Sequence, residues 1–459
     1  MAEQPYAGLN AALDGASDWG LTVSALGCVH RASAVLVAAG VADESAAVHH
    51  IVQKMLDYFS ARWTEPQTEH KNVEEMRHGI ALVRTLTQLN RMHEAAIRYV
   101  EMAGTLVHKL EAFPTVLLLL QPFFPLAWTE PHPDLTAEQV ATLATDAACA
   151  LLRVGEQEHA LVLHGLALMK NIDSGNPIRA VANLANTATT LDGLNRLARA
   201  DSALRLALEL AGLYPNGRAM FVARISMVER LIDAGQETEA ERLWALLDPR
   251  HSWDYAAQRS GQAEIVNAYF KLRTGRLSDR ELISIERHAR STNSAALRRK
   301  VHRLRGNLAI QLEDWGVAAR ELDVAMRLAR ASEISDADTE AKLVLARAHI
   351  GQLTEAAAEA NRLAAEDRAA HAPLALIWQT LGQSEKALMH ARLAYRRAWA
   401  DGEPHVRRYD LREAALLLYE LGAPLPDLPA YNQASDPPLP WEAKVKATIN
   451  NRRNIQGFN

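Results

Sequence analysis

The sequence has 459 residues, of which 49% are apolar and 23% charged, and its formal net charge at pH 7 is −5. A chain this long exceeds one compact core, so it forms either about three domains or an array whose layers contact only their neighbours. The net negative charge provides no general attraction to nucleic acid or anionic membranes. The chain has only two cysteines, Cys28 and Cys149, which excludes a disulfide scaffold and favours a cytoplasmic location.

The N-terminal part of the chain precedes the repeated part. Residues 1–20 contain too much glycine and aspartate for a stable helix, and we expect them to be loose; they also lack the basic flank and apolar core of a secretion signal. Residues 21–75 predict two or three helices, because Val48 to Trp63 has apolar positions at helical spacing. We interpret these helices as a cap on an array. A DNA-binding helix-turn-helix is the alternative, and the scarcity of basic residues argues against it.

A helical-hairpin pattern recurs between residues 76 and 422. Its clearest copy contains Gly306, which lets two helices approach closely, a turn at Asp314-Trp315, and Ala318, which begins the apolar ridge of the second helix. Turn signals followed by a comparable position recur along the chain, with spacings of 31 to 43 residues from the second unit onward. The reference positions are Ala95, Ala160, Ala203, Ala240, Arg280, Ala318, Ala356 and Ala387.

This pattern resembles the tetratricopeptide repeat, in a degenerate form with long repeats of the bacterial type. The resemblance implies an all-α fold: an α-α superhelix, or solenoid, of about eight or nine hairpins that bury each other's apolar faces. The 65 residues between Ala95 and Ala160 are too many for one unit, so we expect a degenerate unit between them. An unrelated helical bundle with coincident turns is the alternative.

Proline interrupts two other stretches. Phe113 to Trp128 is the most apolar stretch, but its three prolines prevent it from crossing a bilayer as one regular helix of about 20 apolar residues, and we expect a buried, kinked segment. Residues 423–440 contain six prolines and predict an extended strap. Residues 441–459 then predict a short amphipathic helix and a tail. We expect this helix to cap the last layer; a tail offered to a partner is the alternative.

The sequence contains none of the common catalytic or nucleotide-binding motifs. Gly-x-Gly-x-x-Gly, Gly-x4-Gly-Lys-Ser/Thr, His-Glu-x-x-His and Gly-x-Ser-x-Gly are absent. The closest histidine clusters, His49-His50 and His159 with His164, lack the i,i+4 spacing that places two imidazoles on one helix face. We therefore predict that the protein is not an enzyme and has no cofactor and no metal.

Binding residues follow from the resemblance, since the first helix of each tetratricopeptide hairpin lines the concave face. Counting back from Ala318 places Lys300, Arg303 and Asn307 on that face. Arg303 and Asn307 stand where the family's carboxylate-clamp members keep a basic residue and an asparagine to hold a peptide's C-terminal carboxylate. The next unit offers Lys342 without the asparagine.

The match to the carboxylate clamp is therefore partial. The unit that follows Lys342 has Pro373 in the place of a basic residue. The same count places Tyr269 and Glu229 on the concave face of the two preceding units. We expect these residues to contact a peptide or protein partner.

Basic residues cluster near the predicted clamp. Arg287 to Arg305 contains seven arginines or lysines and no acidic residue, whereas a second cluster between Arg392 and Arg412 is diluted by three acidic residues. These residues either form solvated outer faces of helices or an anion site in the groove, because arginine makes bidentate bonds with carboxylate and phosphate groups.

Three functions remain open. The first is a non-catalytic scaffold or adaptor that binds a protein or peptide partner with an acidic or carboxylate-bearing segment. The second is a ligand- or peptide-sensing regulatory subunit, similar to the helical arrays of bacterial signal-transduction ATPases and peptide-pheromone receptors. The third is a nucleic-acid-binding solenoid, whose phosphate contacts would make log affinity fall linearly with log salt.

Overall fold

The computed structural model describes residues 34–35, 37–40, 44–63, 72–214, 216–247, 258–291, 294–366 and 369–456. These residues form twenty α-helices with defined bounds and no β-strand. In chain order the helices are α1 Glu44–Arg62, α2 Arg77–Gln88, α3 Met92–Ala103, α4 Phe113–Leu120, α5 Ala137–Val154, α6 Gln157–Asp173, α7 Pro177–Gly193, α8 Leu197–Gly212, α9 Gly217–Asp233, α10 Glu237–Ala245, α11 Gln258–Arg273, α12 Asp279–Ser291, α13 Ala295–Gln311, α14 Trp315–Ala331, α15 Ala337–His349, α16 Leu353–Ala364, α17 His371–Thr380, α18 Ser384–Trp399, α19 Arg408–Glu420 and α20 Glu442–Gln456.

The chain divides into two compact units, Met1–Leu143 and Ala144–Asn459. The loose segment predicted for residues 1–20 lies outside the described residues, as does much of the predicted N-terminal cap, of which α1 is the longest described helix. In the N-terminal unit Gly79 allows close packing, because a Cβ there would lie 2.6 Å from the side chains of both Trp63 and Met102. No described helix combines the length and apolarity needed to cross a membrane.

The expectation of a buried, kinked segment at Phe113 to Trp128 is confirmed as far as Phe124, whereas Pro125, Leu126 and Ala127 are exposed. α4 ends at Leu120 and is followed by a 3-10 turn, Gln121–Phe123, and by a non-helical stretch that leads to α5. Phe113, Phe123 and Phe124 are at most 3% exposed. Proline explains the interruption, because it lacks the N–H that a continuing helix requires.

Eight pairs of consecutive helices within the described residues form hairpins, and we call their members the first and second helix. Each turn contains one residue with positive φ: Asn90, Gly155, Asn195, Gly235, Gly275, Glu313, Gly351 or Gly382. Glycine adopts this conformation without steric cost, and asparagine tolerates it. The following amide then closes the turn, as where the Gln352 N–H donates to the Arg347 carbonyl at 3.0 Å.

The repeated alanines pack inside the hairpins. Six of the eight reference residues are the fourth residue of a second helix and are at most 2% exposed: Ala95, Ala160, Ala240, Ala318, Ala356 and Ala387. The expected close approach at Gly306 is also present, because a Cβ there would lie 2.5 Å from the Leu322 side chain. First helices stack on one another, with α7 against α9, α9 against α11 and α11 against α13.

Two reference positions need correction. Arg280 is the second residue of α12 and is exposed, whereas Leu282 occupies the fourth position and is fully buried. In α8 the fourth residue is Ala200, and Ala203 lies one turn later, although both are buried. Leu282 lies seven residues after the turn glycine Gly275, whereas Ala356 lies five residues after Gly351, so the longer turn moves the buried position along the chain.

The C-terminal helix packs in a different place from the one predicted. Within the strap, residues 423–440, the only regular element is a 3-10 turn, Gln433–Ser435. α20 then packs on α6 and α8 instead of on the last layer, burying Trp441, Val445 and Ile449. Arg199 on α8 fixes it with an ion pair of 3.1 Å to Glu442. The strap, being extended, carries the chain back to these earlier hairpins.

Candidate functional site

The predicted site residues lie on the first helices of successive hairpins. Glu229 is on α9, Tyr269 on α11, Lys300, Arg303 and Asn307 on α13, and Lys342 on α15, and each is half-buried. Several other ionisable residues of the first helices interact with them. We call the surface formed by the following residues the inner lining: Asp192, Glu229, Asp233, Tyr269, Arg273, Lys300, Arg303 and Lys342.

Glu229 and Lys300 attract each other across the inner lining. Burial raises the pKa of Glu229 to about 7, and the Lys300 ammonium opposes this rise. Burial likewise lowers the pKa of Lys300 to about 8; the positive charge of Arg153 adds to this decrease and Glu229 opposes it. Arg153 lies in the last turn of α5, and its carbonyl accepts a 3.1 Å hydrogen bond from the Ser335 amide before α15. Non-adjacent hairpins therefore meet at this point.

Tyr269 belongs to a chain of polar contacts. Its hydroxyl donates to the Asp233 carboxylate at 2.7 Å and accepts from the Arg273 Nε at 2.9 Å. Burial and the nearby carboxylates of Asp192 and Asp410 raise the pKa of Asp233 to about 6, whereas Arg407 and Arg273 lower it. Arg273 also pairs with Asp410 at 2.5 Å.

The residues of the predicted carboxylate clamp face carboxylates of the chain itself. Lys342 pairs with Asp338 at 2.8 Å, and Arg303 lies 3.8 Å from Asp336 with 38% of its side chain exposed. The Oδ1 atom of Asn307 is buried and accepts no hydrogen bond from the described residues. Of the cations expected in the clamp, Arg303 is thus the one whose pairing is loosest.

Residues 401–413, which we call the return segment, also contact this region. The Arg407 guanidinium donates to both carboxylate oxygens of Asp192, at 2.9 and 3.0 Å, and to the Asp192 carbonyl at 2.6 Å. His405 lies 2.6 Å from Asp201, and the Asp401 carboxylate accepts from the first turn of α8. Sequence reasoning missed these contacts, and the only signal was the mixture of basic and acidic residues before α19.

Charges along this region follow an order. The ends of α7 to α10 present carboxylates, including Asp192, Asp201 and Glu237, and these meet basic or hydrogen-donating groups of the return segment. The end of α11 and the middle of α15 present cations, Arg273 and Lys342. Arg273 lies 3.4 Å from Glu413, and Lys342 also attracts that carboxylate.

The basic run from Arg287 to Arg305 divides between two faces. Arg305 and Arg290 both pair with Glu286, at 2.7 and 2.5 Å, between α12 and α13. Arg299 lies inside α13, which Ser294 caps, and is 6% exposed. Of the residues in this basic run, Lys300 and Arg303 belong to the inner lining.

The described residues include no group of three or more histidines, cysteines or acidic residues that could hold a metal ion. The charged and polar side chains that successive first helices present can recognise charged groups by ion pairs and hydrogen bonds. The chain matches no protein-family model, and no curated protein is significantly similar to it.

Proposed function

We propose that this protein is a non-catalytic scaffold or adaptor, a tetratricopeptide-like superhelix in the cytoplasm whose inner lining binds a peptide or protein partner. The observation that carries this proposal is that the region already holds a segment of polypeptide. The return segment is bound to side chains of three different helices, by ion pairs of Arg407 with α7 and of Asp410 with α11 and by a hydrogen bond of His405 to α8. Lys342 on α15 also attracts the Glu413 carboxylate. Such contacts recognise a peptide by its charges.

A second candidate function is a ligand- or peptide-sensing regulatory subunit. The contacts between non-adjacent hairpins favour it, because Ser335 meets Arg153 and Arg407 meets Asp192 over long sequence separations. A ligand that binds the inner lining more tightly when these contacts are open would shift the chain towards an open arrangement.

Selection of displayed peptides on the immobilised full-length chain tests the proposal. We expect enriched peptides whose binding is lost when Arg303→Glu reverses the loosely paired charge of the inner lining. Arg280→Glu is the matched control, because Arg280 is an exposed arginine near the start of α12. Peptides that bind both variants equally would place binding elsewhere, and failure to enrich any peptide would contradict the proposal.

A further inference from the structure

The return segment is attached to the array in two different ways. Apolar residues of α19, including Leu411, Leu417 and Leu418, pack with α17 and α18 in one core cluster. Towards α7 to α11 the contacts are polar: Arg407 with Asp192, His405 with Asp201, and the Tyr409 hydroxyl with Glu237 at 2.5 Å. The polar contacts can therefore open if α19 moves together with α17 and α18, because the apolar cluster then stays intact.

The polar contacts also have a direction. Among the residues of the return segment that pair with side chains of α7, α8 and α11, the basic ones come first, at His405 and Arg407, and the acidic ones follow, at Asp410 and Glu413. Asp401 precedes them and accepts from a backbone amide of α8. Each partner carries the opposite charge: the basic residues meet carboxylates on α7 and α8, and the acidic residues meet the Arg273 guanidinium on α11. A segment with acidic groups first would place like charges together at both ends.

The region can accommodate exchange because its partners are only partly buried. Asp192 keeps 32% of its side chain exposed and Asp410 keeps 37%, so water can replace either contact. A competing segment of the same chemistry would restore these contacts, so exchange keeps their number unchanged.

We propose that the inner lining and the adjoining ends of α7 to α11 bind a partner segment in which basic residues precede acidic ones by three to eight positions, as His405 and Arg407 precede Asp410 and Glu413 in the return segment. This inference rests on the proposed function. The return segment occupies the surface in the absence of a partner, and the partner displaces it. Only molecules whose return segment is released can bind the partner, so a small released fraction weakens the apparent affinity.

Fluorescence anisotropy with synthetic peptides tests the inference on the full-length chain. The probe is a labelled peptide of residues 401–413, Asp-Gly-Glu-Pro-His-Val-Arg-Arg-Tyr-Asp-Leu-Arg-Glu. A second peptide reverses the charge order by His405→Glu, Arg407→Glu, Asp410→Arg and Glu413→Arg, and a third scrambles the composition. The protein is used as wild type, as Arg407→Ala, and as Arg412→Ala, which alters an exposed arginine of α19.

We expect the native-order peptide to bind the Arg407→Ala chain about ten-fold more tightly than the wild type, because release of the return segment exposes its binding surface. The Arg412→Ala chain should bind like the wild type. The reversed and scrambled peptides should bind each protein about ten-fold more weakly than the native order does. If Arg407→Ala does not fold, as judged by circular dichroism, Arg407→Lys keeps the charge, loses the bidentate contact, and should give a smaller gain in the same direction.

Equal affinities for the native-order and reversed peptides would overturn the inference. So would the absence of any gain in Arg407→Ala and Arg407→Lys relative to Arg412→Ala. Peptides selected by display that bind through Arg303 would in either case leave the proposed function standing. The absence of both displayed and synthetic binders would overturn the function as well.

Discussion

Arg407, at the N-cap of α19, donates two hydrogen bonds to the carboxylate of Asp192, near the end of α7, although 215 residues separate them in sequence. A third bond reaches the Asp192 carbonyl, so the guanidinium also fixes the end of the helix. Both residues retain some contact with water, at 13% and 32% of their side-chain surface. The last hairpins and the earlier ones are thus joined by a polar contact between side chains.

Replacement of Arg407 should weaken this connection. Arg407→Ala removes hydrogen bonds to a charged group, and we expect the free energy of unfolding to fall by about 1.5–3 kcal/mol. Arg412→Ala, on the exposed side of the same helix, should change it by less than about 0.5 kcal/mol. Urea unfolding of both variants measures the difference. Equal values for the two arginines would mean that the Arg407 contact contributes nothing measurable.

A pair of helical glycines distinguishes close helix packing from helix propensity. In Gly306→Ala the new methyl group would lie 2.5 Å from Leu322, which is fully buried, so we expect destabilisation of about 1–3 kcal/mol. In Gly316→Ala the nearest atoms lie at 3.8 Å, and the better helix propensity of alanine should stabilise by up to about 1 kcal/mol. Thermal unfolding of the two variants shows whether each substitution stabilises or destabilises the protein. A stabilising Gly306→Ala would refute the close approach of α13 and α14.

Much of the hairpin architecture follows from local sequence. Glycine or asparagine occupies seven of the eight positive-φ turn positions, Glu313 being the exception, and the buried fourth position is apolar, so Gly351 and Ala356 identify one hairpin from a few adjacent residues. The same reasoning chose Arg280 instead of Leu282, because the turn at Gly275 is two residues longer than the turn at Gly351.

Local sequence could not predict the contacts of the return segment, for a different reason. Its partners lie about two hundred residues earlier in the chain, and no periodicity relates Arg407 to Asp192. The sequence pattern treated Asp401 and Asp410 as acids that dilute a basic cluster. In the structure they have separate partners, since Asp401 caps α8 and Asp410 pairs with Arg273.

His164 should make the protein sensitive to acid. It is fully buried, its ring nitrogens have no hydrogen-bond partner among the described residues, and burial lowers its pKa to about 3. The unfolded chain binds the proton below pH 6.5 and the folded chain does not, so stability is lost as pH falls from 6.5 towards 3. Lowering the pH from 7.5 to 5.5 should therefore cost about 1.4 kcal/mol through this residue.

Urea unfolding at these two pH values tests the role of His164. His164→Met and His164→Gln should both lose this part of the pH dependence, because neither side chain titrates. Agreement between the two variants separates titration from changes in packing. If wild type and variants lose equal stability on acidification, the buried histidine is not responsible.

A double-mutant cycle tests the contact between Glu229 and Lys300. At pH 7.5, above the pKa of about 7 for Glu229 and below that of about 8 for Lys300, both groups are mainly charged. Glu229→Gln and Lys300→Met should then show a coupling energy of about 0.5–3 kcal/mol. At pH 5 the coupling should shrink, because Glu229 is protonated. Pairing Glu229→Gln with Arg280→Met provides the control, and those effects should add.

The distance between α8 and α19 tests the central claim, that the inner lining binds a segment by releasing the chain's own. Spin labels at Arg205→Cys and Arg412→Cys, both exposed positions, with Cys28 and Cys149 replaced by serine, report this distance by double electron–electron resonance. A single distance is expected for the unbound chain, and a longer, broader distribution when the peptide of residues 401–413 is saturating or when Arg407→Ala is introduced. A distribution that stays unchanged while the peptide is bound would contradict the account.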